Sequence, residues 1–363
     1  MKVLEYNSIN RAEWSVLVHS STIGTWFQTP EAYDFFASQP KLFRPFAFGL
    51  INDQSPMTIR RQQIGRNDQS RLRAVCVGYV TVEKSAFKQF MMRRAIIVGG
   101  PALLDDCGDE EVAALMSAVR KELKSKAIYV ETRNFNDYSK WKEAFAKAGF
   151  SYQPHLNFHV HTNQTWDAIE ANIGKHRRKY IRLSFRDGAT IEENPTIEQV
   201  RAYYGILLDL YKTKVKMPLQ PWSFFEKLYH LDSCKYLLVM FEGQVVGGSI
   251  CVVLNKSQMS NDKSQIPTGG GVYEWYACGK DGVYKNIHPS SVTKYAGMKY
   301  AADNGYAVFD MMGAGKPDEE YGVRDFKAEF GGELVEYGRF LAVTKPLLYR
   351  IGVMGVKILK MIK

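Results

Sequence analysis

Two long stretches of this sequence spell out nearly the same succession of elements, and that repetition constrains the fold more than any single motif. Residues 43–161 read as a strand (FRPFAFGLI), a basic polar loop, two strands (RAVCVGYVTVE and RRAIIVGGPALL), a helix (DEEVAALMSAVRKELKS), a strand (AIYVETR), a helix (YSKWKEAFAKAGF) and a closing strand (HLNFHVH). Residues 235–344 give KYLLVMFE, QVVGGSICVVL, a polar loop, GVYEWYACG, the helix PSSVTKYAGMKYAADNG, the strand YAVFDMM, the segment FKAEF and the strand LVEYGRFLAV. Self-similarity of this kind marks a diverged internal duplication. A chain of 363 residues has room for two domains, each with its own core. The pattern predicts an α/β protein with mixed sheets: a first domain over 1–165, a second over 166–344 that begins with a basic helical segment, and a tail over 345–363. The polar loops NDQSPMTIRRQQIGRNDQSR and NKSQMSNDKSQIPTGGG fall in different hairpins of the two halves, so they read as insertions at hairpin tips.

Hairpins followed by helix, strand, helix and strand are also the element order of the acyl-CoA N-acyltransferase (GNAT-like) fold, so tandem GNAT-like domains are expected. Lys+Arg 48 against Asp+Glu 38 gives a net charge of +10, which favours anionic partners such as nucleic acid, nucleotide phosphates or acidic lipid. The five cysteines are far apart, with no CxxC pair, which argues against a disulfide framework or a zinc ribbon and for a reducing cytoplasm. No apolar run is long enough for a signal peptide or a membrane span, so the sequence reads as soluble or peripheral.

Local grammar explains several motifs without function. In FQTPEAYDFF, Thr29 caps a helix, Pro30 sits at its first position and Glu31 complements the dipole, while Trp26 and Phe27 before it are a staple or a substrate wall. In GKHRRKYIRLSFRDG, the run Lys175, His176, Arg177, Arg178, Lys179 and Arg182 puts cations on more than one face of a helix that stops at Gly188. Solvent or phosphate must meet some of them. In QPHLNFHVHT, strand alternation turns Leu156, Phe158 and Val160 one way and His155, Asn157, His159 and His161 the other. His155 and His159 would lie roughly 13 Å apart, too far to share an ion, so no metal is expected and a polar cleft-lining face is preferred. The tail KPLLYRIGVMGVKILKMIK, as a helix, gathers Leu347, Leu348, Ile351, Met354, Ile358, Leu359 and Ile362 opposite Arg350, Lys357, Lys360 and Lys363. It suits docking on the protein's own core or lying on an anionic membrane surface.

No GxGxxG, GxxxxGK[ST] or GxSxG occurs, which removes the dinucleotide, P-loop and hydrolase fingerprints. The R/Q-x-x-G-x-G/A turn usual in CoA-dependent enzymes of this fold is also missing; the corresponding stretch reads GKDGVYKNIHPSS.

Several segments in order, FQTPEAYDFF, IIVGGPALL, HRRKYIRLSFRDGATIEE, HPSSVTKYAGMKYAADNGYAVFDMMG and GVRDFKAEFGGE, together resemble the Fem-type (FemABX) peptidyltransferases and the wider FemAB-like acyltransferases. The resemblance implies two GNAT-like domains, an aminoacyl-tRNA donor, no other cofactor, and a muramyl-peptide or lipid-linked acceptor. It implies an aminoacyltransferase of peptidoglycan or surface-glycan biosynthesis, in the cytoplasm or peripheral on the inner membrane face. The family's functional lysine, in a G-x-x-x-F-K-x-x-F pattern, matches Gly322, Phe326, Lys327 and Phe330. A fixed ammonium in a low-dielectric cleft stabilises the oxyanion formed when an amine attacks an aminoacyl ester, so Lys327 is the expected catalytic residue. The attacking amine, with an ordinary pKa of about 10.4, also needs a base, for which Asp325 is the nearest candidate. By the same resemblance Arg177, Arg178 and Arg182 bind diphosphate or tRNA, Trp26, Tyr211, Trp275 and Tyr276 line the cleft, and Arg324 and Phe326 flank the substrate. The long helical hairpin that many tRNA-dependent Fem enzymes insert in the second domain is missing. A CoA-dependent N-acyltransferase acting on a sugar or small amine is the alternative, and a non-catalytic nucleic-acid or lipid-binding module a third reading.

Overall fold

A computed structural model describes residues 1–52, 72–83, 85, 89, 91–256 and 270–361, so most of both polar insertions lies outside the described residues. The chain divides into two compact units, Met1–Pro154 with Tyr337–Lys363, and His155–Glu336.

Unit 1 is built on strands β1 (Lys2–Glu5), β2 (Phe43–Ile51), β3 (Leu72–Thr81), β4 (Arg94–Gly99), β5 (Ala102–Leu103), β6 (Tyr129–Asn134), β7 (Ser151–Gln153) and, from the far end of the chain, β15 (Arg339–Val343). Their order is β1-β2-β3-β4-β6-β15-β7, with β5 on β3. Helices α1 (Arg11–Ser20), α2 (Pro30–Ala37), α3 (Asp109–Leu123) and α4 (Lys142–Lys147) belong to this unit. The apolar stripe of α3, Val112, Leu115, Met116, Val119 and Leu123, packs with Ala74, Cys76, Ile97, Val130, Phe145 and Phe340 into its core. Thr29 caps α2 as expected, its Oγ1 accepting from the Ala32 N–H at 3.1 Å.

Unit 2 holds β8 (Leu156–His161), β9 (Thr190–Glu192), β10 (Cys234–Phe241), β11 (Gln244–Asn255), β12 (Gly270–Gly279), β13 (Val308–Gly313) and β14 (Glu333–Glu336), in the order β14-β8-β13-β12-β11-β10-β9. Its helices are α5 (Trp166–Asn172), α6 (Lys175–Arg186), α7 (Ile197–Leu210), α8 (Trp222–Tyr229), α9 (Pro289–Asp303) and α10 (Gly322–Ala328). One core gathers Leu156, Phe158, Val160, Ile169, Ile173, Ile181, Ala296, Met298, Phe309, Met311 and Phe330. Helix α9 comes close to β13 because Gly297 has no side chain: a Cβ there would lie 2.4 Å from the Phe309 ring.

The two sheets match position for position, so the expected duplication and mixed α/β class hold. The boundary does not fall at 165/166. Strand HLNFHVH, read as closing the first half, pairs with β13 and β14 in unit 2. LVEYGRFLAV is not one strand: it breaks at Gly338, φ +62°, and its second part, β15, pairs with β6 and β7 in unit 1. Each unit thus takes its sixth strand from beyond its own repeat, a long-range pairing that local sequence pattern does not encode.

The tail is a helix, α11 (Pro346–Met361), with Leu347, Ile351 and Met354 exposed to solvent and Tyr349 edge-on to Tyr129, ring centroids 5.6 Å apart. Among the described residues no helix is long and apolar enough to cross a membrane.

Candidate active site

The parallel seam of unit 2 opens partway along. Strands β12 and β13 are in register only at Gly271–Tyr273 against Val308–Asp310 and then part. Two irregularities accompany the split. On β12, Cys251 faces Glu274 and Ile250 faces Tyr276, leaving Trp275 as the extra residue of a β-bulge. On β13 the pairing with β8 jumps between Asp310 and Gly313, and Met312 takes φ +59°. A strand that loses a parallel partner leaves carbonyl oxygens that must be satisfied by other groups.

Lys327 satisfies them. Its Nζ donates to the carbonyl oxygens of Met311 (2.6 Å), Gly313 (2.9 Å) and Met312 (3.3 Å). The residue is 7% exposed. Burial, with the neighbouring Lys294 second, lowers its pKa to about 8. The local sequence produces this placement directly. Helix α10 buries Lys327 and is followed by the buried Phe330; it stops at Gly331, φ +75°, where a Cβ would sit 2.5 Å from the Asn172 carbonyl.

Arg177 holds α10 from α6. Its guanidinium makes a two-point contact with Glu329 at 2.8 and 3.1 Å and lies 4.6 Å from the centroid of Phe326. It therefore braces the helix that carries Lys327. Arg324 is engaged by the preceding loop, donating to the carbonyls of Lys316 (2.7 Å) and Glu319 (2.6 Å). Asp325 is exposed whereas Lys327 is buried, because residues two apart lie on opposite sides of a helix; the structure does not bring this pair together.

Three buried charges absent from the sequence-based set surround the opened seam. Glu274 on β12 pairs with Lys294 on α9, both almost wholly buried. The second carboxylate oxygen of Glu274, Oε1, has no hydrogen-bond partner among the described residues. Asp310 on β13, fully buried, accepts from the Met312 N–H at 2.6 Å and lies 3.2 Å from His159. Burial alone would lower the His159 pKa, but the Asp310 carboxylate outweighs it and raises the value. A signal for the first pair existed: Glu274 follows the core residue Val272 at strand period, and Lys294 precedes Met298 and Ala301 on the core stripe of α9.

Tyr211, Trp275 and Tyr276 do come together. Trp275 stacks on Tyr276 with centroids 5.9 Å apart, and Tyr211, in the π-helical turn after α7, is 6.3 Å from Tyr276. Trp26 does not join them. It is a core residue of unit 1, 1% exposed, its Nε1 donating to Glu31 at 2.7 Å. Arg178 and Arg182 lie on the outer face of α6, where Arg182 is 3.3 Å from Glu170. The three histidines at and just before β8 have separate partners: His155 Nδ1 donates to the Gly315 carbonyl, His159 faces Asp310, and His161 faces Glu333 at 3.1 Å. No group of three metal-ligating side chains converges among the described residues.

The FemAB family model matches residues 269–354, a segment that contains β12, α9, β13 and α10 with Lys327. The fold is similar to the crystal structure of FemX, with a TM-score of 0.65 at 14% identity, covering 97% of this chain and 99% of that one. It is also similar to a tandem GNAT protein from the clavulanic acid biosynthesis pathway (TM-score 0.53, 8% identity, 94% and 98% covered). A third likeness is to the C-terminal domain of an Agrobacterium fabrum protein described as a lysylphosphatidylglycerol synthetase (TM-score 0.51, 13% identity, 79% and 86% covered). No curated protein sequence matches the chain.

Proposed function

We propose that this chain is a FemAB-like acyltransferase that transfers an aminoacyl group from aminoacyl-tRNA to an amine of a peptidoglycan or surface-glycan precursor. The observation that carries the reading is the buried Lys327 ammonium at the open end of β13. As the amine attacks the ester carbon, the carbonyl oxygen gains negative charge, and an ammonium already fixed in a dry site stabilises it without reorganisation. The Met312 carbonyl, at 3.3 Å the longest of the three contacts, is the one a substrate oxygen displaces. With its pKa at about 8, Lys327 stays mostly protonated at neutral pH. Glu274, with its unpartnered oxygen, replaces Asp325 as the candidate to take the proton from the attacking amine. The ester C–O bond then breaks, and the ribose oxygen leaves with a proton. Tyr211, Trp275 and Tyr276 supply an aromatic wall on the β12 side of the split.

Two features favour RNA over CoA as the donor. The stretch before α9 has no glycine-rich pyrophosphate turn, and amides at that helix start are taken: His288 N–H donates to Ser184 Oγ at 2.9 Å and Ser290 N–H to Asp281 at 3.2 Å. The CoA-dependent alternative draws on the likeness to a tandem GNAT protein. Mass spectrometry of the acceptor after incubation with charged tRNA, set beside thermal shift with acetyl-CoA, separates the two. An acceptor heavier by one aminoacyl residue is expected, and stabilisation by acetyl-CoA without any such product would refute the RNA reading. The exposed Leu347, Ile351 and Met354 beside Arg350 support peripheral contact with an anionic membrane from the cytoplasmic side, where a lipid-linked acceptor would lie. Sedimentation with phosphatidylglycerol vesicles should therefore fall when the chain is cut at residue 345; equal sedimentation removes the tail from this role.

A further inference from the structure

Helix α6 has two faces with different work. The inner one is locked in place: Ile181 is buried, Tyr180 stacks on His288 with ring centroids 4.0 Å apart, and Arg177 grips Glu329. Ser184 Oγ donates to the Tyr180 carbonyl at 2.8 Å and accepts from the His288 N–H. The outer face is a groove of about 420 Å³ lined by Lys175, Arg178, Lys179, Arg182, Leu183 and Arg186. Of these cations, Arg182 meets Glu170 at 3.3 Å and Arg186 meets Asp187 at 2.6 Å. Among the described residues no ion pair involves Lys175, Arg178 or Lys179.

This arrangement works against the helix that carries it. Cations in the first turn, with no acid there, oppose the macrodipole. The i,i+4 pairs Lys175/Lys179, Arg178/Arg182 and Arg182/Arg186 set like charges on one another. A polyanion laid along the stripe relieves both. The stripe runs from Lys175 to Arg186, 12 residues and about 16 Å at the helical rise, with cations on every turn, so it matches a row of phosphates better than a single diphosphate. Its arginines suit two-point phosphate contacts. A membrane surface fits poorly, because Leu183 is the one apolar side chain in the groove lining.

We infer that the outer face of α6, through Lys175, Arg178, Lys179, Arg182 and Arg186, binds the sugar–phosphate backbone of RNA. The inference rests on the RNA-donor reading above and deepens it. One rigid helix then grips the donor's backbone on one face and, through Arg177, fixes the lysine helix on the other.

The test is binding of deacylated bulk tRNA to the full chain by fluorescence anisotropy across a KCl series. The wild type should show a steep log–log salt slope. The triple variant K175Q/R178Q/K179Q should bind at least tenfold more weakly, with the slope shallower by about 0.7–0.9 for each phosphate that is no longer neutralised. The single variants R178Q and R182Q, both in the groove lining, give the same trend in smaller steps should the triple variant not fold. Wild-type binding that the variants leave unchanged in affinity and slope overturns the inference. So does an absence of wild-type tRNA binding, or a loss confined to phosphatidylglycerol vesicles. Failure of the donor reading is seen separately: tRNA binds through the stripe, but charged tRNA yields no product.

Discussion

The two parallel seams of this molecule occupy the same place in matching sheets and differ in how far they close. In unit 1, β4 and β6 are paired at six positions, from Arg94↔Tyr129 to Gly99↔Asn134. The end of that seam is finished with neutral donors: Gln28 Nε2 reaches the carbonyls of Gly99 (3.0 Å) and Gly100 (2.9 Å), and Tyr138 Oη those of Gly99 (2.8 Å) and Pro101 (2.7 Å). In unit 2 the seam stops after three positions, and a lysine takes the loose carbonyls. Interior charge follows the same division. Among the described residues, the buried acids and lysines, Glu274, Lys294, Asp310 and Lys327, are all in unit 2, while the buried polar side chains of unit 1, such as Gln28, Thr132 and Asn134, are neutral. Burying charge is unfavourable unless it is paired; unit 1 keeps its ion pairs, such as Glu131 with Arg133 and Arg339, partly open to solvent, whereas unit 2 encloses these acids and lysines, as a site for chemistry would.

The sharpest way to break that contrast is at the buried pair. Lys294→Met leaves Glu274 buried without its cation, and we expect about 3–5 kcal/mol of lost stability, read from denaturant midpoints. Replacing both residues with apolar ones of similar volume should recover most of it. The matching change in unit 1 is smaller in kind and size. Gln28→Ala orphans the Gly100 carbonyl, leaves that of Gly99 to Tyr138, and should cost about 1–3 kcal/mol, while transfer changes less than about twofold.

The titration of Lys327 sets stability and activity against each other. Below pH 8 the lysine is charged in both folded and unfolded chains, and the folded state carries the full burial cost. Between about 8 and the ordinary value of 10.5 the unfolded chain holds more protons, so this group's contribution to stability rises with pH. Transfer should fall over the same range as the oxyanion loses its cation. In Lys327→Arg the falling limb should leave the accessible range; an unmoved limb would assign it to another group.

Much of this was legible in the sequence because it is local. Element periodicity exposed the duplication, the capping grammar of Thr29 matches the structure, and the resemblance to the Fem-type pattern singled out Lys327, which is buried close to the core residue Phe330. What was not legible is long-range or directional. The exchange of β8 and β15 depends on pairing across the whole chain. Trp26 was expected at a cleft because an aromatic before a helix cap reads alike whether it faces core or ligand. Arg177 looked like one more cation in a run, and only packing separates it from the stripe on the opposite face. Glu274 and Lys294 broke the apolar pattern at core positions, a signal that was present but easily read as surface charge.

The central claim is that the ammonium at the open seam, rather than the fold around it, carries the transfer. The most direct measurement is the single-turnover rate of aminoacyl transfer from charged tRNA by Lys327→Met, with tRNA affinity and thermal unfolding recorded on the same samples. The account predicts a rate lower by about 10²–10³, the loss typical of one oxyanion donor, with tRNA affinity within about twofold of wild type. A rate within about twofold of wild type in a folded variant would contradict it.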